Sequence, residues 1–204
     1  MTHRATQRGI TAGAATAVTA AALTLLSTGA AHATPDSVTW TDRVATVTRT
    51  VSDATPKAGD TITVTTKFER STGPDLQVNW LKDFHDACLT YVTNSAKVDD
   101  GTGDKPVEPY LEMKPGFVAG DFMATSYRMI VKAGGPVTFT VRYTVGTSCT
   151  RGTPLSSGAA YGSSLGPGDY NSYGPFVTVA KDGGDGGGIS TGSLGSLLGT
   201  GSSK

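Results

Sequence analysis

The sequence predicts an all-β fold, a single antiparallel β-sandwich. Three observations carry that expectation. Apolar residues alternate with threonines and charged residues at period two in several separate runs. β-branched and aromatic side chains dominate those runs, as strands prefer. Turn signals rich in Gly and Pro divide them at short spacing, the pattern of a sandwich and not of βαβ units.

The elements follow in order. Residues 38–40 and 44–51 read as one or two N-terminal strands, and 56–60 as a turn. In the next strand Ile62, Val64, Thr66 and Phe68 share one face, and Thr61, Thr63, Thr65 and Lys67 the other. Residues 77–80 and 89–92 are shorter strands, with room for one helical turn at 81–87. Residues 99–109 are polar and rich in Gly and Pro, so they read as a loop. Tyr127, Met129 and Val131 form another apolar face, extended back to Met123, with Arg128 and Lys132 turned away. The Gly pair in 132–136 suits a hairpin into the clearest strand, where Val137, Phe139, Val141, Tyr143 and Val145 alternate with Thr138, Thr140, Arg142 and Thr144. Residues 153–174 form a long segment of Gly, Ser and Tyr with at most short strands, and 176–180 is the closing strand. The expected core draws on Ile62, Val64, Phe68, Trp80, Leu89, Tyr91, Val137, Phe139, Val141 and Val177.

The two ends differ in kind from this middle. Residues 1–33 read as a secretory signal peptide: Arg4 and Arg8 give a positive start, 10–26 an apolar stretch, and Ala31-His32-Ala33 a cleavage pattern. The apolar stretch is short of the roughly 20 residues a bilayer span needs. No later stretch is long and apolar enough to span, so the mature chain is expected to hold no transmembrane segment. Residues 34–181 form the domain, and 182–204 a Gly/Ser-rich tail expected to be flexible. The expected location is extracellular or the cell envelope. Removing Arg4 and Arg8 leaves fifteen basic against seventeen acidic residues, which is no footprint for nucleic acid.

Two cysteines, Cys88 and Cys149, allow one internal pairing, and export favours a disulfide. Zinc is not expected, because His85 is the only histidine beyond the leader and structural zinc takes four N or S ligands. No cofactor is expected. Gly162-Ser163-Ser164-Leu165-Gly166 matches the G-x-S-x-G elbow in letters, but no histidine follows it, so no catalytic residue is assigned. His85 between Asp83 and Asp86 reads as a surface histidine beside acids. Asp99, Asp100, Asp104 and Glu108 have calcium-compatible chemistry without the EF-hand spacing, and a solvated loop is the expectation. Tyr161, Tyr170 and Tyr173, set among small residues, are the candidate ligand contacts, since exposed rings offer adaptable stacking surfaces.

Ala58-Gly59-Asp60-Thr61-Ile62-Thr63-Val64 resembles the "GDTVTYTVTV" opening of the DUF11-type repeat, an immunoglobulin-like domain of bacterial surface proteins. Residues 88–96 are similar to its "GLTYVSGSA" element, and 174–179 resemble the closing strand of secreted actinobacterial Ig-like proteins. Two turns depart from the family pattern, at 69–74 and 84–89, and Trp80 precedes Cys88, so an antibody-type bridge is not implied. The resemblance implies an immunoglobulin-like sandwich in a non-enzymatic surface module with a structural or adhesive role. The alternative is a carbohydrate- or ligand-binding module using 153–174. The partners expected are cell-envelope components or surface glycans. A lysine cross-link of the kind some such domains carry would need a buried lysine, and Lys67 lies opposite Phe68.

Overall fold

A computed structural model describes residues 33–42, 45–125 and 128–181. The leader reading (Ala33 apart), the tail at 182–204, Val44 and Tyr127 lie outside them. The strands of the described residues are β1 (Asp36–Asp42), β2 (Ala45–Val51), β3 (Thr61–Glu69), β4 (Leu76–His85), β5 (Leu89–Tyr91), β6 (Lys97–Asp99), β7 (Asp104–Pro106), β8 (Leu111–Lys114), β9 (Phe117–Asp121), β10 (Met129–Val131), β11 (Val137–Val145), β12 (Pro154–Leu155), β13 (Ser157–Ser163), β14 (Gly166–Tyr170) and β15 (Val177–Thr178).

They build an antiparallel two-layer sandwich. One sheet runs β1-β2-β3-β11-β6-β7, with β5 also paired to β11. The other runs β14-β13-β4-β9-β8, with β10 also paired to β4. β12 and β15 form a separate two-stranded ribbon. The period-two pattern of the sequence becomes the buried face of the first sheet. Ile62, Val64 and Phe68 meet Tyr143, Val141 and Val137 in register, and all six are buried. From the second sheet Leu76, Val78, Leu81, Val118 and Tyr161 close on them. Each large apolar side chain fully withdrawn from water contributes about 1.5–3 kcal/mol, which is why these two faces set the register.

The Cys88–Cys149 bridge forms, with Cα atoms 5.1 Å apart. It clips the β4–β5 connection to the loop after β11, and Gly146 N–H donates to the Cys88 carbonyl at 3.1 Å beside it.

Several expectations are corrected. Residues 81–87 are not helical to Ala87, because β4 runs on through His85. Residues 132–136 do not join two paired strands: β10 lies in the second sheet and β11 in the first, so the segment carries the chain between layers. Part of 99–109 pairs, since β6 and β7 form a hairpin across Asp99–Asp104. Residues 153–174 hold β13, which is a central strand of the second sheet despite its Gly and Ala content.

Trp80 is the main correction to the expected core, being 41% exposed. Opposite β13 the register passes from Gly162↔Trp80 to Ser163↔Val78, skipping Asn79. That extra residue is a bulge, and it reverses which side chains face inward. Leu76 and Val78 point into the core before it; Leu81, Asp83 and His85 do so after it. Tyr91, also expected in the core, is only partly buried.

Candidate functional site

The three candidate tyrosines do come together, around Trp40 of β1. The Tyr170 ring lies tilted at 4.7 Å and the Tyr173 ring edge-on at 5.6 Å from the Trp40 ring. Tyr161 lies edge-on to Phe68 at 5.0 Å and donates its hydroxyl to Asp42 at 2.6 Å. β1 and β14 are the edges of their sheets on this side, so the rings close the sandwich between two open edges. Gly168 is required there, because a Cβ would stand 2.5 Å from the Tyr161 ring. Tyr161 is buried, and burial with the Asp42 contact pushes its phenol far above the usual range. Its ring is therefore a packing element, which corrects its reading as a surface contact. Tyr170 is partly buried, and Tyr173 is half exposed.

The remaining candidates are spent on structure. Ser164 sits in the β13–β14 turn, where its Oγ accepts from Gln77 N–H at 3.1 Å and its own N–H donates to the Gln77 carbonyl at 2.9 Å. That turn joins two strands, whereas the elbow needs a strand-to-helix turn. Lys67 pairs outward with Glu69 at 2.9 Å. The acids of 99–108 diverge. Asp99 accepts from the N–H groups of Gly101 and Gly103, Asp100 pairs with Lys105, Asp104 with Lys97, and Glu108 accepts from the Tyr91 hydroxyl. Among the described residues no three His, Cys, Asp or Glu converge as a metal site.

His85 is buried, not on the surface. Its Nδ1 is 2.8 Å from the Asp86 carbonyl, and its ring lies 4.4 Å from that of Tyr143. Beside it is a buried polar cluster that the sequence reading missed. Arg49 of β2 donates to Asp83 of β4 at 2.6 Å and to Ser157 of β13 at 2.7 Å. Tyr143 of β11 donates to the second Asp83 oxygen at 2.6 Å. The cluster links both sheets, and burial beside the Asp83 charge drives the Tyr143 phenol well up. The signal available was the inward phase of Arg49 between Val47 and Val51; nothing local named Asp83 as its partner.

The outer face of the second sheet is the second feature the sequence reading missed. Past the bulge, Trp80, Lys82 and Phe84 point outward along β4. Lys82 Nζ stands 4.0 Å from the Phe117 ring centre and 5.7 Å from that of Phe84. Grooves of about 490 Å³ and 270 Å³ flank the Trp80 indole.

No family model and no curated protein matches the chain, so the DUF11-type likeness rests on its short motifs. Among solved structures it is similar to a three-domain backbone pilin of Streptococcus pyogenes, at 13% identity over 57% of this chain and 29% of that one, with a TM-score of 0.43. It is similar to BcpA, the major pilin subunit of Bacillus cereus, at 11% identity over 66% of this chain and 39% of that one, TM-score 0.42. The N-terminal domain of a Streptococcus gordonii adhesin aligns at 12% identity over 68% of this chain and 33% of that one, TM-score 0.43. The chain spans less than half the length of each of these structures.

Proposed function

We propose that this chain is a non-enzymatic module, secreted or held in the cell envelope, with a structural or adhesive role. The Cys88–Cys149 bridge carries the reading, because such a bond persists in oxidising compartments. The engagement of Ser164, His85, Asp83 and Lys67 in pairing and packing supports a scaffold in preference to an enzyme. A sandwich tied by a covalent clip and an inter-sheet ion pair holds its outer faces in fixed geometry, which suits load-bearing or contact with envelope components and surface glycans.

Fractionation of cells producing the native precursor, followed by thiol-blocking gel shift with and without reductant, tests this. Material in the medium or envelope fraction, shorter than the precursor and with both cysteines blocked until reduction, is expected. Full-length protein in the cytosol with two free thiols would refute it.

A further inference from the structure

Trp80 is a large apolar side chain that the core does not use, held open on a built surface. Its pyrrole ring lies against Gly162, its register partner on β13, where a Cβ would stand 2.2 Å from Nε1. Across the sheet on the other side it pairs with Asp121 of β9. The 490 Å³ groove beside it also meets Asn79, Lys82, Tyr110 and Glu112, and falls within the roughly 300–1,000 Å³ of small-molecule sites. The 270 Å³ groove on its far side shares Trp80 and Lys82 and reaches Asp169 and Asn171.

We propose that this face binds a neutral oligosaccharide, with one sugar ring stacked on Trp80 and its neighbours running into the two grooves. A sugar ring has an apolar C–H face and a hydroxyl edge, and an exposed indole is the flat apolar surface that matches the first. The rim matches the second. Lys82 donates, Glu112 and Asp121 accept, and Asn79 does both. Asp121 Oδ1 accepts from the N–H groups of Met123 at 2.9 Å and Ala124 at 3.3 Å, which fixes the carboxylate and leaves its other oxygen as an acceptor. Both charge signs face one groove, so a ligand carrying a single sign is repelled by part of the rim, whereas a neutral polyol uses donors and acceptors alike. Two grooves meeting at one indole fit a chain of rings better than a single one. The inference deepens the adhesive part of the function proposed above and rests on that reading for its compartment alone.

The full chain is titrated with chitohexaose, cellohexaose and maltohexaose, followed by calorimetry and by acrylamide quenching of tryptophan fluorescence. Trp40 is 6% exposed against 41% for Trp80, so quenching reports mainly the latter. At least one hexasaccharide is expected to bind and to shield Trp80. Trp80→Ala should weaken that binding about tenfold or more with an unchanged melting temperature, and Lys82→Ala should weaken it without altering the fold. Absence of binding by all three sugars, equal affinity in Trp80→Ala, or binding of tetramethylammonium or dextran sulfate in their place would overturn the assignment. A cytosolic location of the native chain would refute export and leave this result standing.

Discussion

Replacing Asp83 by Asn keeps the shape of the side chain and removes its charge. Arg49 would then remain in the core without a counter-ion. In the native sandwich Arg49 Nη2 and Asp83 Oδ1 are 2.6 Å apart, with both side chains 1% exposed. The Arg49 Nε has no hydrogen-bond partner; the guanidinium has Asp83 as its counter-ion, with Ser157 Oγ and, at 3.4 Å, the Phe84 carbonyl as its neutral acceptors. Removing one member of such a pair costs about 3–5 kcal/mol, because the other charge stays desolvated. With a urea dependence of about 2 kcal/mol per molar, the unfolding midpoint of Asp83→Asn should fall by about 2 M. The double replacement Arg49→Met with Asp83→Leu leaves neither charge of this pair in the core. It should regain most of that loss, less about 1 kcal/mol for the Tyr143 hydroxyl that loses its acceptor. Urea titration followed by circular dichroism and by tryptophan fluorescence measures the parent and both variants. An Asp83→Asn protein within about 0.5 kcal/mol of the parent, or a double variant no more stable than the single, would refute the reasoning.

Three further outcomes are expected. Removing both Cys88 and Cys149 by replacement with Ala should lower stability by about 4 kcal/mol by urea titration, from a closed loop whose ends are 61 residues apart. Tyr143 and Tyr161 are held neutral in the fold by burial, above the ordinary phenol value of 10.0. The unfolded chain therefore releases those protons first, so the stability they contribute is complete below pH 10 and declines as pH rises beyond it. Near-ultraviolet titration should show these two phenols ionising only as circular dichroism reports unfolding. Gly158→Ala should destabilise more than Gly162→Ala, by melting temperature. The first Cβ would meet the backbone of Asn171 and Tyr170 at 2.2–2.3 Å, the second a movable Trp80 ring.

What local sequence could and could not convey is visible in particular elements. β3 and β11 were legible because each buries one face along its whole length, and a half-buried strand writes that face as strict alternation. The cysteine pair was legible because only two candidates exist. β13 was not, since Ser-Gly-Ala-Ala-Tyr-Gly-Ser has little strand preference and takes its place from the pairing β4 and β14 provide. Of the tyrosines, composition marked the segment and could not say which rings point inward. Tyr161 does, because Phe68 and Asp42 wait on strands 93 and 119 residues away.

The chain by itself determined its all-β class, its principal strands and its one covalent link, since all three depend on residue type and short-range order. Only the tertiary structure decided that Trp80 faces outward, that Arg49 and Asp83 meet in the core, and that the segment 132–136 passes from one layer to the other. One unpaired residue, Asn79, reverses the faces of a strand, and a partner 34 positions away neutralises a charge; neither leaves a mark within the few residues that a periodic pattern spans.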